Sequence, residues 1–139
     1  MTDLVPTQRP SGREFQALRV KRILLVDDDC RIRQMVRKAL ENELGWICEE
    51  ADNGVDGISK ARALKPDLIV LDLSMPIMNG YDAATVLRRE MPGVPVVMLT
   101  LYADVIGKTS ANVIGVKAIL SKTDGMAPLI RCVQTILEN

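Results

Sequence analysis

The sequence predicts an α/β fold, a five-stranded parallel sheet covered by helices on both faces, and three observations lead there. Five short apolar runs recur along the chain, and each is followed by a segment with helical spacing. Apolar residues make up 47% of the sequence but aromatics only 3%, so the core must be aliphatic, as buried parallel sheets are. A length of 139 residues suits one domain with a single substantial core.

The elements follow in order. From Thr2 to about Leu18 the chain is polar, carries Pro6, Pro10 and Gly12, and has no sustained periodicity. Residues 1–20 are therefore expected to form a flexible extension, with Phe15 and Leu18 able to anchor a short turn, and residues 21–139 the domain. Arg22 to Asp27 reads as the first strand, an apolar run too short for a helix. Arg31 to Leu44 places Ile32, Met35, Val36, Ala39, Leu40 and Leu44 on one helical face, with Gly45 as a stop. The alternation repeats: Trp46–Ala51 strand, Gly54–Leu64 helix, Asp67–Asp72 strand, Gly80–Glu90 helix, with Pro66 and Pro92 at the helix exits. Val94–Thr100 is the fourth strand, Asp104–Ile114 a fourth helix weakened by Gly107, Thr109, Ser110 and Asn112, Lys117–Leu120 the fifth strand and Met126–Leu137 the closing helix. Five β-α units in alternation require right-handed crossovers between parallel strands.

Charge and composition exclude several functions. Eighteen basic residues balance eighteen acidic ones, so no chain-wide field favours nucleic acid or an anionic membrane. No apolar run approaches a membrane span and the N-terminus lacks a secretory signal, which makes the cytoplasm the expected compartment. Cys30, Cys48 and Cys132 are odd in number, far apart and without a C-x-x-C pair, as expected of reduced thiols in structural or incidental roles. There is no histidine, which removes His-based metal sites, Ser-His or Cys-His nucleophiles and self-contained phosphohistidine chemistry.

Ligands of open parallel sheets sit outside the carboxyl ends of the strands. There the first strand ends in Asp27-Asp28-Asp29, the third in Asp72, the fourth in Thr100 and the fifth in Ser121-Lys122; only the second, running into Asp52 and Asn53, is left aside. Carboxylates from two adjacent strands supply the oxygen ligands that a small hard cation such as Mg²⁺ needs, and the cation would offset the repulsion an incoming phosphoryl group feels. A lysine can pair with a phosphoryl oxygen and a threonine hydroxyl can donate to another, which makes Asp72 the candidate nucleophile. Taken singly, Asp28, Asp29 and Thr100 read equally well as helix caps, Lys122 as a surface charge and Asp72 as a turn residue. Their convergence on one edge favours the site.

These residues resemble the response-regulator receiver domains of two-component signalling. The likeness runs from about Lys21 to Leu137 and rests on Leu24-Leu-Val-Asp-Asp28, Leu71-Asp-Leu-Ser-Met-Pro76 with Asn79-Gly80, Thr100 and Lys122, at spacings that match the family's layout. The resemblance implies a doubly wound, flavodoxin-like sheet of order 2-1-3-4-5. It further implies that Asp72 accepts the phosphoryl group, that Asp28 and Asp72 hold Mg²⁺ with the backbone carbonyl of Ser74, and that Asp27 acts through the ion's water shell. Thr100 and Lys122 would respond to the phosphoryl group and pass the change to the face formed by the fourth helix, fifth strand and fifth helix. The implied donor is a sensor histidine kinase or histidine phosphotransfer protein, and the implied output a downstream protein target, with homodimerisation open. Such a chain is a phosphoacceptor that assists its own phosphorylation and dephosphorylation rather than an enzyme on a separate substrate. Ser74 and Tyr102 stand at positions that in similar receivers flank the phosphoryl group and affect its hydrolysis.

Two positions depart from the family pattern. Ile119 stands where many receivers carry an aromatic switch residue, and Lys122-Thr123 replaces the usual lysine-proline step. Rival functions are a flavin-phosphate binder, which the three aspartates would repel; an aspartyl phosphatase, whose D-x-D pattern is absent at Asp72-Leu-Ser74 though formally present in Asp27-Asp28-Asp29; and a receiver-shaped interaction module independent of phosphorylation. The stretch from Leu71 to Leu101 looks most like receivers that precede a helix-turn-helix output domain, so the chain is expected to be either a stand-alone receiver or the regulatory half of a DNA-binding regulator.

Overall fold

The computed structural model describes residues 20–103 and 115–138. The proposed N-terminal extension and the helix expected over Asp104–Ile114 lie outside the described residues. In chain order the described elements are β1 (Arg22–Val26), α1 (Cys30–Leu44), β2 (Ile47–Ala51), α2 (Gly54–Leu64), β3 (Leu68–Leu71), α3 (Gly80–Glu90), β4 (Val96–Thr100), β5 (Ala118–Ser121), a short 3₁₀ turn (Lys122–Asp124) and the closing helix α4 (Ala127–Glu138). The sheet has five parallel strands in the order β2-β1-β3-β4-β5. Each expected strand and each described helix is present, with ends displaced by a residue or two.

The displacements have local causes. Val94 and Pro95 stay outside β4 because Pro95 has no N–H for the ladder, although its carbonyl still accepts from Ile69 at 3.0 Å. Asp67 turns its carboxylate onto the Arg22 amide, 2.8 Å away, and so precedes β3 rather than starting it. Asp29 caps α1 by accepting from the Arg31 amide, which draws Cys30 into the helix. Gly45 ends α1 in the left-handed region at φ 67°, its amide donating to the Glu41 carbonyl at 3.0 Å.

Alternation along the strands divides the core between two faces. Leu24, Val26, Ile69, Leu71 and Met98 point to one side, against Ile58 and Ala61 of α2 and Ala83, Ala84 and Leu87 of α3. Ile23, Leu25, Leu68, Val70, Val97 and Leu99 point to the other, against Val36 and Leu40 of α1 and Leu129 and Val133 of α4. Burying each of the larger aliphatic side chains among these contributes about 1.5–3 kcal/mol before the entropy cost is subtracted. With both faces covered, the strand ends are the places left for ligands.

Candidate phosphoacceptor site

Register brings the acidic residues together. Val26 pairs with Leu71 across β1 and β3, so Asp27 and Asp72, each one residue further on, emerge side by side at the carboxyl edge. The ladder bonds continue past the strands, with the Asp72 amide donating to the Val26 carbonyl at 2.9 Å and the Asp27 amide to the Ala51 carbonyl at 3.1 Å. Thr100 pairs with Ser121, which delivers Lys122 to the same edge. Asp27, Asp72 and Thr100 are buried and Asp28 is exposed. Carboxylate oxygens of Asp27, Asp28 and Asp72 lie within 4.8 Å of one another.

Lys122 closes the cluster. Its ammonium lies 2.7 Å from Asp27 Oδ2 and 3.2 Å from Asp72 Oδ2, with its side chain only 9% exposed. The Asp29 amide donates to Asp27 Oδ1 and the Leu73 amide to Asp72 Oδ1, at 2.9 and 2.8 Å. Burial pushes the Asp72 carboxyl up to about 6, the nearby Asp27 adds to this, and Lys122 opposes it. The lysine is held above its ordinary value, since its contacts with Asp27 and Asp72 outweigh a burial that would lower it. Three carboxylates against one ammonium leave a net negative pocket lined with oxygen donors, a donor set that fits a hard divalent cation.

The expected residues differ in how closely they join this cluster. Thr100 ends β4, beside β3, and its Oγ1 accepts from the Tyr102 amide at 3.2 Å, while the Tyr102 side chain is about half exposed. Ser74 lies exposed two residues beyond Asp72. Asp29 takes the capping role, and Asn53 caps α2 by accepting from the Asp56 amide at 2.8 Å, so the end of β2 brings no carboxylate to the cluster. Ile119 packs partly buried against the face covered by α2 and α3. Cys48 is buried, its thiol pushed up to about 12 by that burial; burial also raises Cys132; and Cys30 is exposed and free.

Two features of the loop after β3 escape sequence reasoning. Gly80 opens α3 directly against the backbone of Asp72: a Cβ there would stand 2.2 Å from the Asp72 carbonyl oxygen and 2.7 Å from Leu73 Cα. The Gly80 amide donates to the Leu73 carbonyl at 2.7 Å, fastening the loop. Ile77, 80% exposed, adopts φ 71°, a left-handed conformation rare for a β-branched residue. The Asn79-Gly80 pair was a readable signal of the first feature, whereas nothing in the pattern marks the second. A cavity of about 650 Å³ lies elsewhere, at the opposite strand edge beside Lys21, Val94 and Lys117, and shares no residue with the cluster.

Known proteins carry the same arrangement of elements. A family model described as the response regulator receiver domain matches residues 23–134. The probable transcriptional regulatory protein SilR of Salmonella typhimurium is 33% identical over 116 residues, covering 84% of this chain and 50% of its own. The DNA-binding response regulator MtrA of Mycobacterium tuberculosis strain H37Rv is 42% identical over 86 residues, 62% of this chain and 37% of its own. The chain thus spans half or less of the length of these relatives. Among solved structures, the CheY-like receiver domain protein of Methanospirillum hungatei JF-1 superposes with a TM-score of 0.79 at 28% identity, covering 86% of this chain and 95% of its own. The response regulator TrrA of Thermotoga maritima, solved in complex with Mg(2+)-BeF, gives 0.77 at 28% identity, with 85% and 100% coverage. An acidic edge in this fold, matched along nearly the whole of the described chain, places the protein in the response regulator receiver domain family.

Proposed function

We propose that Asp72 is the phosphoacceptor of this signalling switch, that Asp28 and Asp72 would hold Mg²⁺ together with the Ser74 carbonyl, and that Asp27 would act through the ion's water. The observation that carries this reading is the buried Asp72 carboxylate, set beside two further carboxylates and clamped by Lys122. When bound, the cation supplies charge neutralisation for the transferring phosphoryl group.

The residues themselves do the rest. Above about pH 6 Asp72 is ionised, and a carboxylate oxygen attacks the phosphorus of a phosphohistidine. The phosphorus–nitrogen bond breaks as the new phosphorus–oxygen bond forms, its electron pair returns to the imidazole, and Asp72 becomes an acyl phosphate. Lys122 then exchanges its contact with the Asp72 oxygen for one with a phosphoryl oxygen, and Thr100 Oγ1 donates to another. With no histidine in these residues, the phosphohistidine donor lies outside them, on a sensor histidine kinase or a histidine phosphotransfer module. Thr100 carries the Tyr102 amide with it when it turns, moving the segment after β4 and the β5–α4 face, where a downstream protein or a second copy would dock. The Tyr102 ring shields the acyl phosphate, so Tyr102→Ala is expected to dephosphorylate faster, and an unchanged rate removes this role.

Intact-mass spectrometry after incubation with Mg²⁺ and a small acyl-phosphate donor tests the reading. One phosphoryl adduct on the wild type and none on Asp72→Asn is the expected result. No adduct on folded wild type would move the assignment to an interaction module independent of phosphorylation. The identity to SilR and MtrA supports a second, compatible reading, in which this receiver regulates a DNA-binding output domain in the cytoplasm. No described helix is long and apolar enough to cross a membrane.

A further inference from the structure

The edge strand β2, which brings no carboxylate to the cluster, reaches the site through Arg33. This α1 side chain, 16% exposed, donates from Nε to Glu50 Oε1 of β2 at 2.8 Å and from Nη1 to the main-chain carbonyl of Asp27. Glu50 is itself gripped from α1 a second time, by Arg37 at 3.2 Å. The Asp27 carbonyl belongs to the peptide that joins Asp27 to Asp28, and its orientation sets the direction in which Asp28 leaves the sheet. Asp27 is further restrained through its side chain by the Asp29 amide and Lys122, and Asp29 by its cap on α1.

From this geometry we infer that Arg33, seated on Glu50, is a positioning residue for the divalent-cation site: it fixes the Asp27–Asp28 peptide plane and so aims Asp28 at the ion. The inference rests on the proposed cation site and adds a support from a strand that the sequence pattern leaves aside. A guanidinium suits the task because its planar fork serves two oxygens at once, whereas an ammonium acts as a single point charge. Groups that orient metal ligands commonly change metal affinity by about 10–100-fold when removed.

Two physical accounts of Arg33 predict opposite signs. If it acted only through its charge, removing a cation beside an acidic pocket would tighten Mg²⁺ binding. If it positions Asp28, removing it weakens binding.

The test is titration calorimetry of the full chain with Mg²⁺, at a temperature where circular dichroism shows every variant folded. Arg33→Gln is expected to bind about ten-fold more weakly than wild type. Arg33→Lys keeps the charge but serves one oxygen only, and should fall between them at about three-fold. Unchanged or tighter binding in Arg33→Gln overturns the proposal. Should that variant not fold, Arg33→Lys decides, and wild-type affinity there overturns it. A wild type that takes up no Mg²⁺, or an Asp28→Asn variant that binds as well as wild type, instead removes the cation site on which the proposal stands.

Discussion

Lys122 lies nearer to Asp27 than to Asp72, at 2.7 Å against 3.2 Å, so one ammonium is shared unequally between two buried carboxylates. The less well paired Asp72 retains an unfavourable charge above pH 6. Its folded-state pKa of about 6 exceeds the ordinary 3.8, so the folded protein holds this proton more tightly than the unfolded chain does. Stability from this group therefore falls as pH rises from about 4 to about 6 and stays low above that. Asp72→Asn removes the charge and is expected to raise the Mg²⁺-free Tm at pH 7.5 by roughly 4 °C, on the order of 1 kcal/mol. The gain should shrink through pH 6 and vanish near pH 4. Melts across that range check it, and a gain that does not depend on pH would show that the Asp72 charge is not its source.

The same proton competes with metal. Cation binding requires ionised carboxylates, so apparent Mg²⁺ affinity should be flat above about pH 6.5 and fall towards about ten-fold per pH unit below the Asp72 pKa. Calorimetry from pH 5 to pH 8 checks this. At saturating ion, about 100 times the Kd, the fold should gain about 2.7 kcal/mol, all of it lost on chelation.

Much of the fold was legible because its signals are local. Continuous runs such as Leu68–Leu71 announce strands buried on both faces, and stops such as Gly45 end a helix in ways that depend on nearby residues alone. The acidic edge was legible for a related reason: in parallel strands every carboxyl end falls on one side, so Asp27, Asp28, Asp72 and Lys122 converge once the elements are placed. The Lys122–Asp27 pair required the full register of four strands. Arg33 and Glu50 look in sequence like ordinary charges on a helix and an edge strand, and only the packing of α1 on β2 joins them. Asp29 and Asn53 belong to an acidic and polar series in the sequence, yet their side chains serve helix caps.

Gly80 holds α3 against Asp72, the proposed acceptor. Any side chain there meets the backbone of Asp72 and Leu73 rather than a flexible group, so one of the two segments must move. Gly80→Ala is expected to cost about 2–3 kcal/mol, as overpacking at a rigid contact does. A displacement near 1 Å at Asp72 should also slow phosphorylation by about 100-fold in single-turnover assays with an acyl-phosphate donor. Normal rates in a destabilised variant would mean that the helix yields and the acceptor keeps its place.

Ile77 occupies the left-handed region in the same loop, with its side chain 80% exposed, so little packing offsets the backbone cost. Such a conformation costs on the order of 1–2 kcal/mol for ordinary residues, and β-branching aggravates it. Asparagine tolerates this region, while glycine relieves the strain but adds freedom to the unfolded chain. Ile77→Asn should therefore stabilise by about 1 kcal/mol, Ile77→Gly by less, and Ile77→Val, which keeps the β-branch, by about zero. Urea titration reads the effect as a higher midpoint at constant m-value. If Ile77→Asn leaves the midpoint where Ile77→Val does, the strain is not stored in this residue, and the loop carrying Met75 to Asn79 relaxes without it.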